Sequence, residues 1–115
     1  MLTQYVAFGP TPALDVVIVD EAQDLTKLQW NMCEKIWQNA KRVYISGDDD
    51  QAIFRWAGAD IEHLITMQGN VSVLNQSYRC PVEVHKVAHD IVTRINQRRN
   101  KEWNPRDVEG EVRFH

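Results

Sequence analysis

Two acids, Asp20 and Glu21, directly follow the apolar run Val16-Val17-Ile18-Val19. A carboxylate closing a buried segment is expensive to desolvate unless it faces a cation or a polar cleft. The pair suits phosphoryl transfer. The first acid would help hold Mg²⁺, directly or through water, and the second would orient or deprotonate the attacking water. The plainer reading is a pair of loop or helix-capping acids near a strand end. Gln23 and Asp24 cluster beside the same strand end, where a coupling network would sit.

A second polar loop reads Ser46-Gly47-Asp48-Asp49-Asp50-Gln51. Gly47 permits a sharp turn. Consecutive acids repel unless a cation or outward orientation relieves them, and Asp49 reads as part of a solvated acidic turn. Gln51 is neutral and can donate to a phosphate oxygen while accepting from water, which suits a sensor of a terminal phosphate. Phe54 and Trp56 flank Arg55 in the segment that follows. Aromatics on a loop can stack nucleobases, at ~1–3 kcal/mol per base, although a lone Trp is more often core. Further on, Tyr78 offers a flat face for adenine. Arg79 could reach a γ-phosphate as an arginine finger, an element worth ~10³–10⁵ in rate. On spacing alone, a Tyr-Arg turn packed on the neighbouring helix is the better reading.

These residues need elements to position them. Asp15 to Asp20 is β-branched and non-alternating, which predicts a strand buried on both faces, as in a parallel sheet. Thr26 with Gln29 is a capping box, so a helix begins there. Leu25, Leu28, Met32, Ile36 and Ala40 recur along it at helical spacing, with Trp30 and Trp37 read as packing residues. Arg42 to Ser46 is a second strand. Asp60 caps a helix holding Ile61, Leu64 and Ile65, which Gly69-Asn70 ends. Val71 to Leu74 is a third strand. Pro81 opens a helix whose buried stripe is Val84, Val87, Ala88, Ile91, Val92 and Ile95, fraying near Asn100. Glu111 to His115 is a last, truncated strand. Gly9, Pro10 and Pro12 make the first 14 residues irregular or a short leading element. Alternating strands and helices imply an α/β sheet with its chemistry at the carboxyl ends of the strands.

The 115 residues fit one domain or a piece of a larger one. With 43% hydrophobic and 25% charged residues, the chain is neither disordered nor membrane-spanning. No signal peptide is evident, and two cysteines without CxxC spacing point to a reducing, cytoplasmic setting. The net charge of −3 excludes a simple polycation but hides an asymmetry. Residues 1 to 62 carry ten acids and five bases, whereas residues 79 to 106 carry seven bases and three acids. The basic run, from Arg94 to Arg106, reads as a solvated helix face or, more sharply, a phosphate-facing surface. His85 and His89 share one helix face but lack a further metal ligand. Trp103 reads as a loop anchor.

Three segments occur in order: Val-Asp-Glu-Ala-Gln-Asp-Leu from Val19, Gly-Asp-Asp-Asp-Gln-Ala-Ile-Phe-Arg-Trp-Ala-Gly-Ala-Asp from Gly47, and Leu-Asn-Gln-Ser-Tyr-Arg from Leu74. Together they resemble motifs II, III and IV of the UvrD/Rep-like superfamily 1 DNA helicases, over nearly the whole chain from Asp15. The resemblance implies a partial RecA-like (P-loop NTPase) parallel sheet with flanking helices. Residues 1–79 would be the C-terminal half of the first RecA-like domain. Residues 80–115 would be the helix and first strand leading toward the second.

It further implies ATP and Mg²⁺ as cofactors, and as partners single-stranded DNA and duplex/single-strand junctions. Asp20 and Glu21 would match the Mg²⁺-coordinating and water-activating acids. Gln51 would match the glutamine coupling the γ-phosphate to DNA. Tyr78 would match the adenine-stacking tyrosine and Arg79 the γ-phosphate arginine. Trp56 would match the base-stacking aromatic, with Phe54 and Arg55 beside it on the DNA side. Ala57 stands where the family usually has Arg, and Ser77 where Asn is common. The implied parent is an ATP-dependent 3′→5′ helicase or translocase of DNA repair or replication. A non-catalytic single-strand-binding or regulatory module, or a helicase-nuclease subunit, are the other readings. The sequence holds no GxxxxGK[ST] phosphate loop. The chain alone is therefore expected to be an inactive middle piece.

Overall fold

The computed structural model describes residues 1–114, which divide into two compact units, Met1–Met67 and a second from Gln68 onward. In the first unit, α1 (Leu2–Phe8) is the leading element, closed where the Gly9 amide donates to the Tyr5 carbonyl at 2.8 Å. β1 (Val16–Val19), α2 (Lys27–Trp37) and β2 (Arg42–Ile45) then form a strand–helix–strand unit. The strands pair in parallel with Val16 opposite Arg42 and Val19 opposite Ile45.

Thr26 starts α2 as its spacing predicts. Its hydroxyl accepts from the Gln29 amide at 3.4 Å, and Gln29 Oε1 accepts from the Thr26 amide at 2.8 Å. Asp60 caps α3 (Ile61–Thr66) by accepting from the His63 amide at 3.3 Å. The core lies between these two helices. Trp30 is fully buried; its Nε1 donates to the Asp60 carbonyl at 3.2 Å and its ring stacks on His63 at 4.5 Å. Trp37 meets Trp30 edge-on at 6.4 Å, and Ala22 and Ile61 complete the buried apolar set. The Asp60 amide donates to Leu25 and Ala59 bridges Thr26, so the chain entering α3 is anchored to the start of α2.

Several sequence expectations are corrected. β1 is not buried on both faces: Val17 and Val19 are half-buried, whereas Val16 and Ile18 are exposed, Ile18 by 74%. Only one face of the sheet is covered within this unit. β2 stops at Ile45, and α3 stops at Thr66, short of Gly69-Asn70.

In the second unit, Val71 to Leu74 form no strand. No neighbouring strand is paired with them among the described residues, and an unpaired strand leaves its backbone groups to water. Instead, Gln76 makes an isolated parallel bridge with Asn104, and the Arg106 amide donates to Cys80 at 2.8 Å. α4 (Val82–Val92) follows Pro81 but closes well before Asn100, because the Arg94 and Ile95 amides turn back to Ile91 and Val92. Ile95 thus lies outside the helix, and the stripe is only partly covered: Val84 and Ile91 are exposed. Residues 111–114 are not a strand, and His115 lies outside the described residues. Among the described residues, no helix is long and apolar enough to cross a membrane.

Candidate functional site

The carboxyl ends of β1 and β2 lie side by side because the strands are parallel and in register. The ladder continues past them: the Ser46 amide donates to Val19 at 2.8 Å, and the Ala22 amide donates to Ser46 at 3.0 Å. This brings the loop after β1 against the loop after β2.

Asp20 sits at the junction. Its Oδ1 accepts from the Ser46 hydroxyl and from the Glu21 amide. Those two donors hold the exposed Asp20 carboxyl below its ordinary range, the Ser46 hydroxyl contributing most. It is therefore an anion at neutral pH, and among the described residues its Oδ2 accepts no bond. An ionised, accessible carboxylate with a hydroxyl beside it fits a hard cation such as Mg²⁺, which takes one or two carboxylates and keeps waters. No cluster of three His, Cys, Asp or Glu able to cage a metal exists among the described residues. Mg²⁺ does not require one.

Glu21 has φ 53° and ψ 40°, and is the one non-glycine residue with positive φ among the described residues. That conformation is disfavoured for a side chain with a Cβ and marks a position held by its surroundings. The Glu21 carboxylate is held by Gln23, only 2% exposed. Its Nε2 donates to Glu21 Oε2 at 2.6 Å, and its Oε1 accepts from the Asp48 amide at 3.0 Å. Gly47 makes the approach possible: a Cβ there would sit 2.9 Å from Gln23 Oε1 and 3.0 Å from Leu64 Cδ2. Beyond it, Asp48 Oδ1 accepts from the Asp50 amide at 3.2 Å, and Oδ2 accepts from Gln51 Nε2 at 2.6 Å. Glu21, Gln23, Asp48 and Gln51 thus form one continuous hydrogen-bonded chain across the two strand ends. Asp49 departs from its expectation as a solvated turn acid: it is 7% exposed, in the turn Asp49–Gln51 that packs against α3.

Past Gln51 the chain makes the short turn Arg55–Ala57, closed by Gly58 at φ 92°. Trp56 is 84% exposed and Phe54 is also exposed, their ring centroids 6.4 Å apart. Trp56 is therefore no core residue, and Arg55 lies between two aromatics on the surface.

Tyr78 and Arg79 belong to the second unit. Ser77 Oγ accepts from the Arg79 and Cys80 amides at 3.3 and 3.0 Å, forming the turn that leads into α4. Tyr78 is 84% exposed, so it is not packed on the helix behind it. The His85 ring lies 5.8 Å from that of His89 and meets Trp103 edge-on at 4.2 Å, which makes Trp103 an anchor for α4. The structure thus groups Glu21 and Gln51 through Gln23 and Asp48 and sets Asp20 beside them on Ser46, with Phe54, Arg55 and Trp56 in the same unit. Sequence reasoning placed Gln23 only in a polar cluster; its spacing of two from Glu21 was the available signal.

Residues 11–72 match the family described as UvrD/REP helicase N-terminal domain. The chain is 28% identical over 95 residues to ATP-dependent DNA helicase PcrA of Bacillus subtilis, covering 77% of this chain and 13% of that protein. It is 30% identical over 95 residues to a probable DNA helicase II homolog of Mycoplasma capricolum, covering 78% of this chain and 13% of that protein. Against ATP-dependent DNA helicase PcrA of Staphylococcus aureus it is 30% identical over 88 residues, 72% of this chain and 12% of the relative. The chain therefore spans about an eighth of the length of these relatives.

Proposed function

The chain belongs to the UvrD/REP helicase N-terminal domain family, and from that premise we infer that it is part of an ATP-driven DNA helicase or translocase. In this reading residues 1–79 are the second half of a RecA-like domain carrying motifs II, III and IV, and residues 80–115 lead toward the next. The observation that carries the reading is the hydrogen-bonded chain from Glu21 through Gln23 and Asp48 to Gln51. It joins an acid suited to water activation to a glutamine that stands three residues before the exposed Phe54.

Asp20 and Glu21 are the metal-side acids and would hold Mg²⁺ directly or through water. Mg²⁺, when bound, neutralises charge on the phosphate oxygens. Glu21 orients the attacking water and accepts its proton. Gln51 senses the terminal phosphate. Tyr78 stacks on adenine, and Arg79 stabilises charge on the transferred phosphoryl group. Phe54, Arg55 and Trp56 face single-stranded DNA, with bases stacking on Trp56. The residues present do not fit ATP by themselves, since the sequence lacks the glycine-rich loop and lysine that cradle the triphosphate. Movement 3′→5′, action at duplex junctions, and a cytoplasmic role in repair or replication belong to the same proposal.

The test uses the full-length protein that carries this chain. Glu21→Gln should abolish ATP turnover and leave nucleotide affinity within about twofold, since an interaction made only in the transition state leaves the ground state alone. Parallel loss of turnover and binding, or unchanged turnover, would remove Glu21 from the assigned role.

A further inference from the structure

We propose that Gln23 is a positioning residue: it fixes the Glu21 carboxylate and the loop bearing Gln51 as one rigid piece, so that neither can reorient without the other. The proposal rests on the helicase reading above and adds to it a residue that touches neither nucleotide nor DNA.

Three observations carry it. The side-chain amide of Gln23 is almost wholly buried, and both ends are used, the nitrogen toward Glu21 at 2.6 Å and the oxygen toward the Asp48 amide at 3.0 Å. A buried amide satisfied at both ends has one orientation, since flipping it would set oxygen against carboxylate and nitrogen against N–H. The backbone on either side is shaped to permit the contact. Glu21 stands in the left-handed region, and Gly47 passes so near Gln23 that a Cβ would lie 2.9 Å from Oε1. Finally, Asp48 carries the restraint onward, its carboxylate holding the Gln51 amide group at 2.6 Å. The Glu21 carboxylate is itself exposed and, as the end of a flexible side chain, would otherwise sample several rotamers. Loss of a single productive orientation by about 1 Å is worth on the order of 100-fold in rate.

Two variants of the full-length protein separate this role from a structural one. Gln23→Glu keeps an acceptor for the Asp48 amide but sets a carboxylate against the Glu21 carboxylate. Gln23→Met keeps the length and removes both hydrogen bonds. For each, kcat for DNA-stimulated ATP turnover should fall by about 10- to 100-fold while KM for ATP stays within about twofold. Gln23→Met, which places no charge at the buried position, should retain the wild-type folded fraction by circular dichroism. A kcat within about twofold of wild type in Gln23→Met would overturn the proposal. So would a loss of kcat in both variants no larger than the loss of folded protein. If the wild-type protein itself shows no DNA-stimulated turnover, the helicase reading fails first, and the proposal with it. A normal wild type with unimpaired variants rejects the positioning role alone.

Discussion

At the residue scale, the chemistry rests on charge and exposure that differ sharply between neighbours. Trp30 is buried and hydrogen-bonded, and Trp56 is almost fully exposed, though both are tryptophans in helical turns. Exposing so large an apolar ring costs free energy unless a partner covers it, and in the proposed helicase reading that partner is a stacked base. Trp56→Ala should therefore weaken single-strand binding by ~1–3 kcal/mol, read by fluorescence anisotropy with a labelled oligonucleotide. Unchanged affinity would detach Trp56 from DNA. Asp20 gives a pH test. Its carboxyl is depressed chiefly by the Ser46 hydroxyl and secondly by the Glu21 amide. A depressed folded-state value stabilises the fold above the unfolded carboxylate range, and that contribution disappears as pH falls through the folded value. Ser46→Ala should move the Asp20 titration upward toward the ordinary carboxylate value, followed by carboxyl-carbon NMR. A curve that stays put would show that Ser46 is not the cause.

At the element scale, the legible parts were those governed by local rules. The Thr26–Gln29 box, the Asp60 cap and the apolar periodicity of α2 need only neighbouring residues, and each appears where the spacing placed it. Thr26→Ala should destabilise the first unit by about 1 kcal/mol, measured by urea unfolding, because it leaves the Gln29 amide without its acceptor. No change in the midpoint would mean the box is redundant with the anchoring of Ala59 and Asp60. Strands were less legible because a strand is defined by its partner. Val16–Val19 finds β2 and forms. Val71–Leu74, with two valines of its own, pairs with nothing among the described residues and stays irregular. The burial of Asp49 was illegible for a related reason. Its sequence neighbours are acids, and only its packing toward α3 in space sets it inside.

At the scale of the whole molecule, the site was legible as residue types at strand ends, and its wiring was not. Asp20, Glu21, Gln51 and Trp56 announce themselves by chemistry and by the resemblance their segments carry. Gln23 has no distinctive chemistry, and only the parallel register of β1 and β2 brings the Asp48 amide within its reach. What these elements can do together is bounded by what binds a triphosphate. A γ-phosphate needs a backbone cradle and a cation to offset its charge before an acid beside it becomes useful. The first unit instead presents acids: ten of its charged residues through position 62 are carboxylates, against five bases. Acids at the ends of β1 and β2 repel a polyphosphate, and one Mg²⁺ at Asp20 does not replace a lysine and glycine-rich loop. The 115-residue chain by itself should therefore turn over no ATP, with or without single-stranded DNA, in a coupled phosphate-release assay with Mg²⁺. DNA-dependent phosphate release by pure chain, abolished by Glu21→Gln, would mean that these residues bind and hydrolyse the nucleotide by a route that needs no such cradle.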